Sequence, residues 1–140
     1  MTRLGLPLAL LIAVSVLAGC GDGGVRLSAF ASPWGGHDRG VRITATGRGS
    51  ETIDSGCCFR AVTIRFRITS VRGTKQRPSA RAVVTHVHVY MPSEFTKMYP
   101  APHVGEVGTL RIVNGVLHEP LTGANYCGSG VNRIKAGCGA

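Results

Sequence analysis

Acidic residues are scarce in this sequence of 140 residues: seven Asp and Glu stand against sixteen Lys and Arg, which gives a formal net charge of +9. The few carboxylates are scattered singly along the chain. Neither a Gly-x-Ser-x-Gly nor a His-Glu-x-x-His arrangement occurs. We therefore expect no enzymatic activity and no cofactor.

Helical periodicity and internal repeats are also absent beyond the first 24 residues. Twenty glycines separate short runs that are rich in Val, Ile, Thr and Arg, which is typical of an all-β protein. The length allows one domain, which we place at residues 25–140.

Period-two alternation predicts the individual strands. In the clearest, Phe59–Val71, the apolar residues share one face, namely Val62, Ile64, Phe66 and Ile68. Arg81–Met91 alternates too, and the polar link between them predicts an antiparallel hairpin. In that second strand Val84, His86 and His88 are predicted to share a face.

Four further elements follow from shorter signals. Val41–Thr46 alternates, with Arg42 and Thr44 pointing outward. Val107–Val113 and the run after Asn114-Gly115 predict a second hairpin, because Asn-Gly favours a tight turn. Residues 92–100 predict a short helix that is capped by Ser93.

This order, three strands, a helix and two strands, is similar to that of the OB-fold, a small Greek-key barrel. The resemblance concerns the order of elements and implies a closed barrel with one short helix. An immunoglobulin-like sandwich is the alternative.

The N-terminus has the layout of a secretory signal. Arg3 supplies a positive charge, the apolar run Leu4–Ala18 follows, and small residues close it. This run is shorter than a membrane-spanning helix requires. We expect residues 1–19 to form a signal helix that is cleaved.

The residues Leu17-Ala18-Gly19-Cys20 resemble the lipobox of bacterial lipoproteins. The resemblance implies that Cys20 is acylated and becomes the first residue of a membrane-anchored protein of the cell envelope. Residues 20–24 form a flexible polar leash. Gly21 after the cysteine favours the periplasmic side of the outer membrane in a Gram-negative host.

Four cysteines remain: Cys57, Cys58, Cys127 and Cys138. An even number in an oxidising compartment predicts disulfides. Because a bridge between adjacent cysteines is strained, we expect Cys57 and Cys58 to bond to Cys127 and Cys138, in either combination. A zinc site would use short Cys-x-x-Cys knuckles, and the chain has none.

Several cations fall on predicted outward strand faces. Stacked cations repel each other unless an anion covers them, so Arg42, Arg65, Arg67 and Arg111 are predicted to bind an anionic envelope polymer or protein; nucleic acid is not expected as a partner. The alternative is a copper or zinc site at His86 and His88, which are spaced to lie on one side of a strand.

Overall fold

The computed structural model of the chain describes residues 25–56, 59–91 and 102–138. Within these ranges the chain forms eight strands: β1 Pro33–Gly36, β2 Arg39–Ile43, β3 Arg48–Ser55, β4 Phe59–Gly73, β5 Pro78–Val89, β6 Val107–Val113, β7 Val116–Glu119 and β8 Ala124–Cys127. A 3-10 turn at Leu27–Ala29 precedes them and a one-turn helix, α1 Arg133–Ala136, follows.

The strands form one closed antiparallel barrel in which each pairs with the next along the chain. Closure comes from β1 and β8, which pair at Gly35 and Cys127. The predicted all-β class and small barrel are confirmed. The strands number eight and follow sequence order, whereas five in Greek-key order were expected. The sheet closes on itself, so the alternative sandwich does not form.

The long hairpin of β4 and β5 follows the predicted alternation along β4. Its four apolar residues are buried and Arg65 and Arg67 are exposed. On β5 a bulge interrupts the pattern: Arg65 pairs with His86, but the next residue, Phe66, pairs with Val84. The prediction that Val84 shares a face with His86 and His88 is therefore wrong. Val84 is buried while both histidines are exposed.

The predicted hairpin at Asn114-Gly115 is confirmed, since β6 and β7 pair antiparallel on either side of it. Both residues have positive φ, 51° and 76°, as a type I′ turn requires. The predicted helix at residues 92–100 lies outside the described residues, as do the predicted signal, Cys20 and the leash.

The barrel interior is filled by apolar side chains in two clusters. The larger one is built around Phe30, Trp34, Phe66, Leu110 and Leu117. The smaller one contains Ile53, Val62, Ile64, Val84 and Leu121. The apolar core therefore sits inside the barrel, and most outward side chains of the strands are polar or charged.

Because consecutive turns of an antiparallel meander alternate between the two ends of the barrel, two ends can be defined. The entry end carries the segment before β1, the turns at 44–47, 74–77 and 114–115, and the segment after β8. The far end carries the turns at 37–38, 56–58 and 120–123 and the connection from β5 to β6.

A disulfide joins Cys127 of β8 to Cys138 just after α1, with 5.6 Å between their Cα atoms. The expected pairing of these cysteines with Cys57 and Cys58 is therefore wrong. The chain turns back through α1 after β8, which brings Cys138 to a partner only 11 residues away. Cys57 and Cys58 themselves lie outside the described residues. Among the residues described, no helix is long and apolar enough to cross a membrane.

Candidate functional site

The four arginines predicted to bind an anion are all exposed: Arg42 on β2, Arg65 and Arg67 on β4, and Arg111 on β6. Each alternates with buried neighbours, as Arg42 does between Val41 and Ile43. Their outward orientation therefore follows from the same pattern that fills the core.

Strand register places two arginines and a histidine in one line across the barrel wall. Arg42 pairs with Ser50, Ser50 with Arg65, and Arg65 with His86. Neighbouring strands are about 4.8 Å apart, so the backbones of Arg42 and Arg65 are about 10 Å apart. Arg67 lies two residues further along β4 on the same face. We call Arg42, Arg65, Arg67 and His86 the basic wall.

Arg67 meets another cation, because it stands directly opposite Arg48 on β3. Like charges in this position destabilise a sheet. Arg111 lies apart from the wall, between Ser79 and His118. The structure thus unites three of the four predicted arginines and separates the fourth.

No carboxylate neutralises these arginines within the described part of the chain. None of the four forms an ion pair there, whereas Arg60 approaches Asp54 to 3.9 Å. An open groove of about 570 Å³ borders the wall. Its lining includes Arg39, Arg42 and Arg60 with the hydroxyls of Ser50 and Thr52, and also the carboxylates of Asp38 and Asp54. An anionic group beside the wall would meet the Arg42 guanidinium and the hydroxyls of Ser50 and Thr52, whereas Arg60 is already close to Asp54.

The wall lacks carboxylates partly because Glu51 of β3 points into the barrel, where it is fully buried. Its neighbours Ser50 and Thr52 face outward into the groove. Glu119 of β7 is also buried, at 2 % exposure. Two of the seven acidic residues are thereby removed from the surface.

Inside the barrel Glu51 belongs to a buried polar cluster with Glu119, Thr122 and Tyr126. The Tyr126 hydroxyl donates a hydrogen bond to Glu51 Oε1. The Thr122 hydroxyl lies 3.0 Å from Glu51 Oε1 and 2.7 Å from Glu119 Oε2. Because it has one proton, it can donate to only one carboxylate at a time.

Glu119 has further donors of its own. The backbone N–H groups of Leu121 and Thr122 donate to its two oxygens at 2.7 and 2.8 Å. Glu51 is less fully hydrogen-bonded, since its Oε2 is buried and has no hydrogen-bond partner among the described residues. The two carboxylates therefore stand in different environments within one cluster.

Burial raises the pKa of the Glu51 carboxyl from 4.5 to about 7, and the charge of Glu119 acts in the same direction. Hydrogen bonds from Tyr126 and Thr122 and the charge of Arg39 lower the pKa of Glu51 but do not offset this. Burial and the neighbouring Glu51 raise the pKa of Tyr126, so its hydroxyl keeps its proton and acts as a donor. The cluster is closed to solvent in this conformation and links β3 to β7 and β8.

His86 and His88 are both exposed on β5, as predicted. Their rings stack at 6.4 Å between centroids, and His88 meets the edge of Tyr90 at 4.2 Å. Within residues 25–56, 59–91 and 102–138, no three His, Cys, Asp or Glu side chains come together as a metal site would require. The two imidazoles could therefore supply two metal ligands, but no third ligand lies beside them among these residues.

Sequence reasoning missed the polar cluster altogether. A signal for Glu51 was present, because Gly49, Glu51 and Ile53 alternate with Ser50 and Thr52. This alternation was missed because Glu51 is charged, whereas period-two patterns are recognised from the positions of apolar residues. Comparison with protein families, with curated proteins and with solved structures finds no match.

Proposed function

We propose that this chain is a non-enzymatic lipoprotein of the bacterial cell envelope that binds an anionic partner through the basic wall. The membrane anchor is the acylated Cys20 that the lipobox-like Leu17-Ala18-Gly19-Cys20 implies. In a Gram-negative host the protein would face the periplasm from the outer membrane. The partner is an envelope polymer or protein that carries phosphate or carboxylate groups.

The observation that carries the proposal is the line of Arg42, Arg65 and His86 across adjacent strands, in which neither arginine forms an ion pair with a described residue. Guanidinium groups bind carboxylate and phosphate through paired hydrogen bonds. A row of them at a fixed spacing suits repeated anionic groups. An anion over the wall would also relieve the repulsion between Arg67 and Arg48.

The burial of the perturbed carboxyl among the described residues supports binding rather than catalysis. The carboxyl whose pKa is most perturbed, that of Glu51, is sealed inside the barrel together with Tyr126. The metal-binding alternative ranks lower, because His86 and His88 find no third ligand in the described parts of the chain.

Binding to immobilised polyphosphate tests the role of the wall, with the full lipidated chain kept in detergent. Replacing Arg65 and Arg67 with Ser should lower the affinity several-fold and reduce its dependence on salt. Thermal stability should not fall, because both side chains are exposed.

The matched control is the double variant Arg81→Ser with Arg111→Ser, which removes the same charge from exposed positions on β5 and β6 that lie outside the basic wall and the entry end. It should bind polyphosphate nearly as well as the unmodified chain. An equal loss in both variants would show that net charge alone drives binding, and it would overturn the role of the wall. Mass spectrometry of Cys20 tests the anchor separately.

A further inference from the structure

Charge is distributed very unevenly between the two ends of the barrel. Cations are concentrated at the entry end and all are exposed: Arg26, Arg48, Arg72, Lys75, Arg77, Arg133 and Lys135. The described segments that form this end contain no Asp or Glu. Among the described residues this end is therefore basic, and it adjoins the basic wall where Arg48 stands opposite Arg67.

The surface carboxylates of the described residues lie at the opposite, far end. Asp38 is in the turn between β1 and β2, Asp54 is near the end of β3, and Glu106 precedes β6. Basic groups accompany them there, including Arg60 and His37, which approach Asp54 and Asp38. The far end is thus mixed in charge.

Two further features of the entry end suit a membrane surface. Arg26 and Lys75 line a groove of about 320 Å³ together with Val25 and Ala29. Ile134 is 85 % exposed in α1, between Arg133 and Lys135. An apolar side chain flanked by cations suits the boundary between headgroups and acyl chains.

The short segment between Cys20 and the barrel determines which end of the barrel can face the membrane. Val25 follows Cys20 by five residues, and five residues span at most about 18 Å. Val25 lies at the entry end, because the Leu27 side chain packs at Gly47 in the turn between β2 and β3. A lipid on Cys20 would therefore hold this end, rather than the far end, within reach of the bilayer.

We propose that the entry end docks on the anionic headgroups of the leaflet in which Cys20 is anchored, so that the barrel stands end-on at the membrane. This inference rests on the proposed lipid anchor. Docked in this way, the basic wall stands on the side of the barrel and stays open to a second anionic partner. The structure thus assigns its two basic surfaces to two partners.

Tryptophan quenching by brominated lipids tests the orientation, with the lipidated full chain reconstituted into vesicles. The variant Ile134→Trp should be quenched in vesicles of brominated phosphatidylcholine mixed with phosphatidylglycerol. Quenching should fall in pure phosphatidylcholine and in about 0.5 M salt, where charges are screened. Trp34 is only 7 % exposed in the core, so the unmodified chain supplies the baseline.

Val104→Trp is the matched control, because Val104 is 66 % exposed before β6 at the far end. It should stay at the baseline in every vesicle. Equal or stronger quenching of this variant than of Ile134→Trp would overturn the end-on orientation. If Ile134→Trp is quenched equally with and without phosphatidylglycerol, the proposed role of charge in docking is wrong.

Charge variants in the Ile134→Trp background complete the test. Replacing Arg26, Lys75 and Arg77 with Ser should abolish the effect of phosphatidylglycerol. Replacing Arg42, Arg65 and Arg67 with Ser should leave this effect in place, and the reverse result would refute the proposal.

Flotation with neutral vesicles reports the lipid anchor alone. A chain that floats without quenching thus refutes only the docking, and a chain that fails to float refutes the anchor.

Discussion

The Tyr126 hydroxyl on β8 donates a hydrogen bond to the Glu51 carboxyl on β3, which joins two strands that are not neighbours in the sheet. Both side chains are fully buried. The bond connects the last strand of the barrel to its first half through the interior. A change in the charge of Glu51 must therefore affect the stability of the whole barrel.

Stability should decrease as pH rises through the range in which Glu51 titrates. The carboxyl has a pKa of about 7 in the folded chain and near 4.5 once exposed, so between these values the folded state holds a proton that the unfolded chain has lost. The free energy of unfolding should then fall by up to about 1.4 kcal/mol per pH unit and level off above the window. Denaturant unfolding across this range measures the slope. Glu51→Gln should flatten it, and an unchanged slope in that variant would assign the effect to other groups.

Tyr126→Phe should destabilise the barrel, because it removes the hydroxyl that donates to a buried carboxyl. We expect a loss of about 1.5–3 kcal/mol in the free energy of unfolding. The loss should be larger at a pH where Glu51 is ionised, since a charged acceptor gains more from the bond. A double-mutant cycle with Glu51→Gln measures the coupling, and additive effects would contradict it.

Replacing Cys127 and Cys138 together with Ser should lower stability by about 2–4 kcal/mol. The bridge closes a loop of 11 residues and restricts the unfolded chain. A reductant should lower the melting temperature of the unmodified protein about as much as the double substitution does. It should not change the melting temperature of the variant. A reductant response that persists in the variant would point to a different disulfide.

Gly49→Ala should destabilise the barrel although alanine is a small residue. A Cβ at Gly49 would overlap the ring of Phe66, which packs directly over this backbone. Overpacking of this kind costs about 1–3 kcal/mol. Phe66→Leu in the same chain should recover part of the loss, because a smaller side chain makes room. Thermal unfolding of the single and double variants decides this, and no recovery would mean that the glycine acts through backbone conformation.

The parts of the fold that could be predicted are those whose strands bury one apolar face. On β4 the buried Val62, Ile64 and Phe66 alternate with exposed arginines, and Asn114-Gly115 specified its turn through positive φ. The strands that sequence reasoning missed lack this signal. β3 turns Gly49, Glu51 and Ile53 inward, β1 consists of Pro-Trp-Gly-Gly, and β8 lies in a glycine-rich tail.

The outward arginines could be predicted, but their arrangement could not. Alternation shows which side of a strand Arg42 and Arg111 face, whereas register decides that Arg42 lines up with Arg65 while Arg111 lies apart. Register depends on bulges such as the one after Arg65, which alternation does not reveal. The disulfide pairing was missed for a different reason, because it depends on α1, which turns the chain back after β8 and brings Cys138 to Cys127.

Barrel closure depends on a narrow seam, since β1 and β8 are in register at a single pair, Gly35 with Cys127. The disulfide is attached at this same Cys127. If the seam parted, the cylinder would unroll into an open sheet with two unpaired borders. Such borders recruit strands from other copies of a chain. The disulfide holds α1 beside this seam, where the Arg133 side chain lies against Gly35 of β1. Reduction of the disulfide would free this cover and so favour self-association.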